Sequence, residues 1–486
     1  MGTGISKAVI ADVVEYRGSK YTVTSIADNA FKECYKLTSV TIPETVESIG
    51  NNAFYYCEEL TSVTIPHAVT AIGKGTFYRC LKLTSVTMPE SVVSIGEDAF
   101  RDCHKLVSVA LPESLTYIGQ NAFGYCYSLA SLDLPDGLTF IGEYAFLGCY
   151  NITSLAIPSG ITVIHRGAFS GCSRLASLDL PDGVTVIDGY AFNGCYNLTS
   201  LVLPAGLTVI GESAFQGCKG LKSVTIPPAV TSIGVGCFQN CDGLTSVTIP
   251  PSVTEIRSKC FDRCSKLRIV NISDLAAWCG IAFDGDQASP LCNNGYLFLN
   301  GEEVVDLEIP AGITSLGRVT FANCISLETV RIPEGFESFD GYCTFQYCRN
   351  LREVYLPSTF KSADVSGVFG DCPDLETVYC SAMTPPSIRY NSFSDSGKGF
   401  MTLHVPEGTK ALYAEAEGWK NFNEIIDDLQ SAGVEAVATD ADGFDMDSPY
   451  EIYNLGGVRM AGSVETLPAG AYILRQKGKA IKYIAK

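Results

Sequence analysis

The chain has 486 residues, a formal net charge of −19, and 46% apolar residues of which aromatics make up 10% of the chain. That acidic balance opposes nucleic acid and anionic lipid, whose phosphates it repels, and no run of 18 or more apolar residues is present to cross a bilayer as a helix. No P-loop, HExxH, GxSxG or complete GxGxxG phrase occurs, so the sequence is read as non-enzymatic and without cofactor or metal.

Met1 to Lys7 reads MGTGISK and lacks the apolar core of a secretory signal. The chain is either cytosolic or has lost a leader, and the character of its C-terminal segment favours loss. Val9 to Tyr16 and Tyr21 to Ile26 read as strands joined at Arg17, Gly18 and Ser19, an expected N-terminal β-hairpin cap over residues 1–30. A solenoid needs such a cap because its first coil otherwise exposes core and an unpaired edge.

From Phe31 a 23-residue unit repeats almost without slippage, with Cys34, Cys57, Cys80 and their successors through Cys264 in step with Phe31 to Phe261 and Pro43 to Pro250. A period of this length signals stacked supersecondary units. In LTSVTI, Leu60, Val63 and Ile65 point inward while Ser62 and Thr64 point outward, the alternation of a half-buried strand. Pro66 cannot donate to a ladder and so lies just beyond it. Val69 and Ile72 form a second inward run, and Gly73 opens the corner. The pair Ala53 and Phe54 then puts a small residue where backbones crowd and a ring on the core axis, in an expected single helical turn ending near cysteine. Burying each phenylalanine contributes roughly 1.5–3 kcal/mol.

The phrase LxxVxIPxxVTxIGxxAFxxC, recurring from about Tyr21 to Asp428, resembles the BspA-like leucine-rich repeats of bacterial surface proteins. The resemblance implies a right-handed solenoid and a surface location. It implies no catalytic function, since members are mostly described as adhesins or as proteins of unknown ligand.

Twenty cysteines in such a rhythm are expected as buried free thiols acting as small hydrophobes. Identical coils give identical side-chain directions, so the sulfurs stack without turning toward one another; Cys237 with Cys260 is the alternative pair. The outward strand positions, such as Ser62 with Thr64 and Ser131 with Asp133, form a small polar stripe that reads either as hydroxyl ladders or as a ligand face. Tyr125, Tyr127, Tyr144, Tyr150, Tyr190 and Tyr196 fall at corner positions of nearby coils, and are expected to gather along one edge beside Asp133, Asp136, Asp179 and Asp182. Tyrosine suits a protein interface and also seals corners between coils. Asp133 and Asp179 stand two coils apart, about 10 Å at strand spacing, with Ala156 between them. His67 and His165 lie roughly 20 Å apart by the same spacing, too far to share a metal or proton.

Residues 273–303, with DLAAWC and YLFLNG, are read as an irregular insert packed on by Trp278 and Phe283; similar phrases occur in the resembled family. Coils then resume less regularly, with Phe321, Phe345 and Phe369 and an outward set containing Arg331, Tyr355 and Tyr379 that forms a second candidate surface. Thr402 to Val405 gives a last strand, and Pro406 opens an expected helix through Glu417. Trp419, Phe422 and Ile425 close the solenoid, which spans 31–429. Residues 430–448 form an acidic linker whose Asp440, Asp442, Asp445 and Asp447 miss the EF-hand spacing. Residues 449–486 read as a small β domain. There, Ile452, Tyr453, Leu455, Gly457, Gly470, Tyr472 and Ile473 resemble the C-terminal sorting segments of exported proteins from a gliding-type secretion system.

The expected architecture is therefore strand-rich α/β: a capped right-handed leucine-rich-repeat solenoid with parallel sheet, plus a small C-terminal antiparallel domain. The expected function is binding at the bacterial surface, as a monomer without a transmembrane segment. The partner is a protein of host extracellular matrix or of a bacterial surface, with a glycan as the alternative and a structural spacer as the third reading.

Overall fold

The computed structural model describes residues 4–394, 396–397, 400–429, 450–454, 459–460, 470–476 and 479–485. Two compact units are present, Met1–Glu302 and Glu303–Lys486.

In the first unit every coil contributes a two-residue strand and most also a three- to four-residue strand, each kind pairing in parallel with its counterpart in an adjoining coil; the coils at 108–110, 131–133 and 200–202 lack the longer strand. Ser62–Thr64 pairs with Ser85–Thr87 residue for residue, and Ala71–Ile72 pairs with Ser94–Ile95. Parallel register follows from the period, because identical letters must meet to keep Val63 and Val86 on the core side. The repeat phenylalanines, one per coil from Phe54 to Phe261, are fully buried. They stack along the axis from Phe31 with ring centroids 5.2 to 5.7 Å apart and planes within 2° to 11°.

None of the twenty cysteines is in a disulfide, Cys237 and Cys260 included. From Cys57 to Cys264 each repeat cysteine reaches back to a backbone carbonyl of the preceding coil: Cys57 Sγ lies 3.2 Å from the Phe31 oxygen and Cys103 Sγ 3.2 Å from that of Phe77. The thiol is therefore a weak donor as well as an apolar filler. Hydroxyl ladders also form, but on the residues just before the outward stripe: Thr61 Oγ1 donates to the Thr38 carbonyl at 3.1 Å and Thr84 Oγ1 to that of Thr61 at 3.0 Å.

The Ala-Phe corner is not the expected helical turn. Alternate amides leave their own coil: Asn52, Phe54 and Tyr56 donate to the carbonyls of Lys74, Thr76 and Tyr78 at 2.9 Å or less, while Tyr55 and Cys57 donate three residues back, at 3.1 Å. A helix would satisfy all of these groups within one coil and leave the corner without cross-coil bonds.

At the N-terminus the hairpin is shorter than expected, Val13–Tyr16 paired with Ser19–Thr22, and every residue in it is exposed. The chain covering the first coil is instead Lys7–Val9, parallel to Ser39–Thr41, while Ser25–Ile26 already pairs with Ser48–Ile49. Residues 273–303 are also more regular than their sequence suggests. Ala282–Phe283 pairs with Glu255–Ile256 and Tyr296–Leu299 with Ile269–Ile272, so both ladders continue. The extra length is taken up by a short helix, Leu275–Cys279, whose N-cap Asp274 accepts from the Ala277 amide at 2.9 Å. Trp278 is buried against Phe283, with ring centroids 5.4 Å apart.

The second unit holds a six-stranded parallel sheet from Asp306–Glu308 to Glu424–Leu429, a four-stranded companion, and a phenylalanine column of Phe321, Phe345, Phe369 and Phe393. Pro406 ends the strand Thr402–Pro406 and does not open a helix; the helix is Lys410–Glu415, and one further strand, Glu424–Leu429, follows. Closure is by Trp419, whose Nε1 donates to the Pro386 carbonyl at 2.8 Å, and Tyr413, whose hydroxyl donates to that of Ala382 at 2.7 Å. The C-terminal sheet is antiparallel, with Glu451–Asn454 between Arg459–Met460 and Gly470–Gln476, and Lys479–Ala485 at its edge. The linker aspartates, Leu455 and Gly457 lie outside the described residues.

Candidate binding surface

The corner of each coil in the first unit contains two left-handed positions, five residues and one residue before the repeat cysteine. Asn52 and Tyr56 hold φ of 54° and 60°, and Tyr144 and Gly148 hold 56° and 71°. These reversals alternate the amides between the coil's own carbonyls and those of the next. Glycine, asparagine and aspartate suit such a conformation, which costs other residues roughly 1–2 kcal/mol. Tyr56, Tyr125, Tyr144 and Tyr190 occupy it nonetheless, at 56° to 61°.

The six predicted tyrosines resolve into three groups. Tyr127 and Tyr150 directly follow the cysteine and stack at 5.0 Å with planes 3° apart; Tyr125 meets Tyr127 edge-on at 6.1 Å. His104, at the same position one coil earlier, extends the row by stacking on Tyr127 at 4.6 Å. Burial, then the neighbouring Tyr150 and Asp102, push the Tyr127 phenol up from its ordinary value. Tyr144 and Tyr190 face a different residue, Arg166. Its Nε donates to the Tyr144 hydroxyl at 3.1 Å, and its guanidinium lies 4.7 Å from the Tyr190 ring centre. The Tyr190 hydroxyl donates to Glu212 at 2.9 Å, which raises its pKa. Tyr196 stands with Lys219, whose ammonium is 5.7 Å from the ring centre.

Sequence reasoning missed the N-terminal continuation of this edge. Tyr55 stacks on Tyr78 at 4.8 Å, and Arg101 lies 5.8 Å from the Tyr78 ring centre and 5.7 Å from that of Tyr125, bridging the two. The signal was available: His104, Tyr127 and Tyr150 share one position in the period, and Tyr55, Tyr78 and Arg101 share another.

Asp133 and Asp179 line a concavity of about 500 Å³ on the strand face, floored by Ser154, Leu155 and Ala156. Ala156 pairs with Asp179 across adjacent strands, so the small residue opens the space that the two carboxylates flank. Beyond it, Val202 is 79% exposed. Asp136 and Asp182 are likewise exposed. Among the described residues no helix is long and apolar enough to cross a membrane, and no group of three or more potential ligands could hold a metal ion.

The fold and its polar, open faces define a leucine-rich-repeat solenoid. Residues 24–153, 139–268 and 294–416 match the family described as BspA type leucine rich repeat region, and the chain belongs to that family. A leucine-rich repeat protein from Bacteroides ovatus is 25% identical, with 86% of this chain and 92% of that chain covered at a TM-score of 0.52. A leucine rich cell surface protein from Faecalibacterium prausnitzii is 28% identical over 58% of this chain and 91% of its own, at a TM-score of 0.37. A leucine-rich repeat protein from T. pallidum is 30% identical over 40% and 79%, at 0.30. No curated protein matches the sequence, and no enzyme family is indicated.

Proposed function

We propose that this chain is a non-catalytic binding protein of the bacterial surface or of the secreted fraction, adhesin-like, which recognises a protein partner through its tyrosine-rich edge. The observation carrying this reading is the continuous row of His104, Tyr127 and Tyr150, with Tyr150 45% exposed. Rings fixed against one another lose little freedom when a partner covers them, and such pre-ordered aromatics are where interface energy concentrates. The family's association with bacterial surfaces supports the location. The antiparallel C-terminal sheet supports a sorting role for residues 449–486, by resemblance to exported proteins.

The test is a pull-down against extracellular-matrix and bacterial surface proteins, followed by titration of whichever partner is retained. Replacing Tyr127 and Tyr150 together by alanine is expected to weaken binding by about tenfold or more, the cost of one strong interface residue. Unchanged affinity discards this edge, and an empty pull-down favours a spacer.

A further inference from the structure

We propose a second, separate site: the notch at Tyr196 takes one pyranose ring of a neutral saccharide. The notch has a volume of about 330 Å³ and is lined by Asn193, Gly194, Tyr196, Gln216, Gly217, Lys219 and Asn240. That volume is at the small end for ligand sites, suited to a single sugar ring and too small for the broad contact of a protein interface.

Three features select the ligand. Tyr196 is 51% exposed, and its neighbour on the notch side is Lys219, whose ammonium stands 5.7 Å from the ring centre, so that side of the ring lacks the aromatic neighbour that Tyr127 and Tyr150 give each other. A ring face carries negative charge density, which the polarised C–H groups of a pyranose match. The floor is glycine, as at Gly148 and Gly171 in the two coils before, where the remaining coils of the first unit carry side chains. Gly194 and Gly217 hold φ of 72° and 76°, at the position filled by Tyr125 and Asn240 elsewhere, and a Cβ on Gly217 would stand 3.5 Å from Tyr196 Cε1.

The rim is a directed amide ladder. Asn193 Nδ2 donates to Gln216 Oε1 at 2.8 Å, Gln216 Nε2 to Gln239 Oε1 at 2.7 Å, and Gln239 Nε2 to the Asp262 carboxylate at 2.8 Å. Asp262 only accepts, so it fixes the sense of the whole chain. Each amide has a second N–H and a second lone pair for hydroxyls that both donate and accept. Lys219 adds little net charge, because Asp242 lies 3.7 Å from it. The site thus suits a neutral sugar over a sialylated or sulfated one.

The experiment is a glycan array with the full chain, then saturation-transfer NMR and titration with the best neutral saccharide. Two variants are used, Tyr196→Ala and Gly217→Asn. Asparagine fills the floor without breaking the corner, since Asn240 and Asn323 hold the same position at φ of 60° and 61°. Both variants are expected to weaken binding about tenfold or more, as loss of one stacked ring would, with unchanged circular dichroism. Protein binding that depends on Tyr127 and Tyr150 is expected to persist in Gly217→Asn, so the two sites can fail separately. Failure of any neutral saccharide to bind, binding confined to anionic glycans or aromatic peptides, or full affinity in both variants would overturn the proposal.

Discussion

At the residue scale, each recurring letter has a separable energetic role. Phe169 is fully buried between Phe146 and Phe192, at 5.4 and 5.6 Å. Phe169→Ala is therefore expected to cost about 3–5 kcal/mol, read from the urea midpoint. Gly171 has φ of 74°, and a Cβ there would lie 3.4 Å from the Gly148 backbone. Gly171→Ala should lose roughly 1–2 kcal/mol of stability, and an unchanged melting curve would show that the corner relaxes. The left-handed tyrosines behave oppositely: their conformation is unfavourable and their ring contacts repay it, as Arg166 does for Tyr144 and Tyr190.

Ladders and caps differ in how much they hold at the element scale. Because all eight hairpin residues between Val13 and Thr22 that pair are exposed, replacing 13–22 by a short glycine turn should leave the thermal midpoint almost unmoved. Trp419 at the other end is fully buried and hydrogen-bonded, so Trp419→Ala should cost about 3–5 kcal/mol. Equal effects of the two changes would contradict this division. The short helix Leu275–Cys279 shows how a 27-residue spacing from Ile269 to Tyr296 is absorbed without breaking the sheet. Its Asp274 cap was not recognised from DLAAWC, because the sequence break there was more conspicuous than the surviving strand letters.

For the whole molecule, the thiol column couples stability to pH. Burial pushes Cys57 and Cys172 up to about 12 from the ordinary 9.0, and raises Cys80, Cys103 and Cys126 as well. A raised folded pKa means that the folded state keeps its protons longer. The contribution is therefore fully present below about pH 9 and is lost as pH rises toward about 12. Urea midpoints are expected to be flat across neutral pH and to fall above pH 9, and the buried thiols from Cys57 to Cys264 should resist a thiol reagent at pH 8 until the chain unfolds, whereas the half-buried Cys292 and Cys343 react sooner. Rapid labelling of the buried set in the native protein would show that the coils open.

The sequence alone determined the repeat, the parallel register, the buried phenylalanine and cysteine columns, and the family, because a 23-residue period forces equivalent residues to meet. It also marked Tyr127 and Tyr150 as neighbours one period apart. Tertiary structure alone decided the rest. The corner became a cross-coil ladder with two left-handed residues, Tyr144 and Tyr190 turned to Arg166, and Asp133 and Asp179 came to flank a concavity floored by Ala156. Those outcomes depend on which way a side chain leaves the backbone and on what the adjoining coil places opposite it, and neither is written in the spacing of letters.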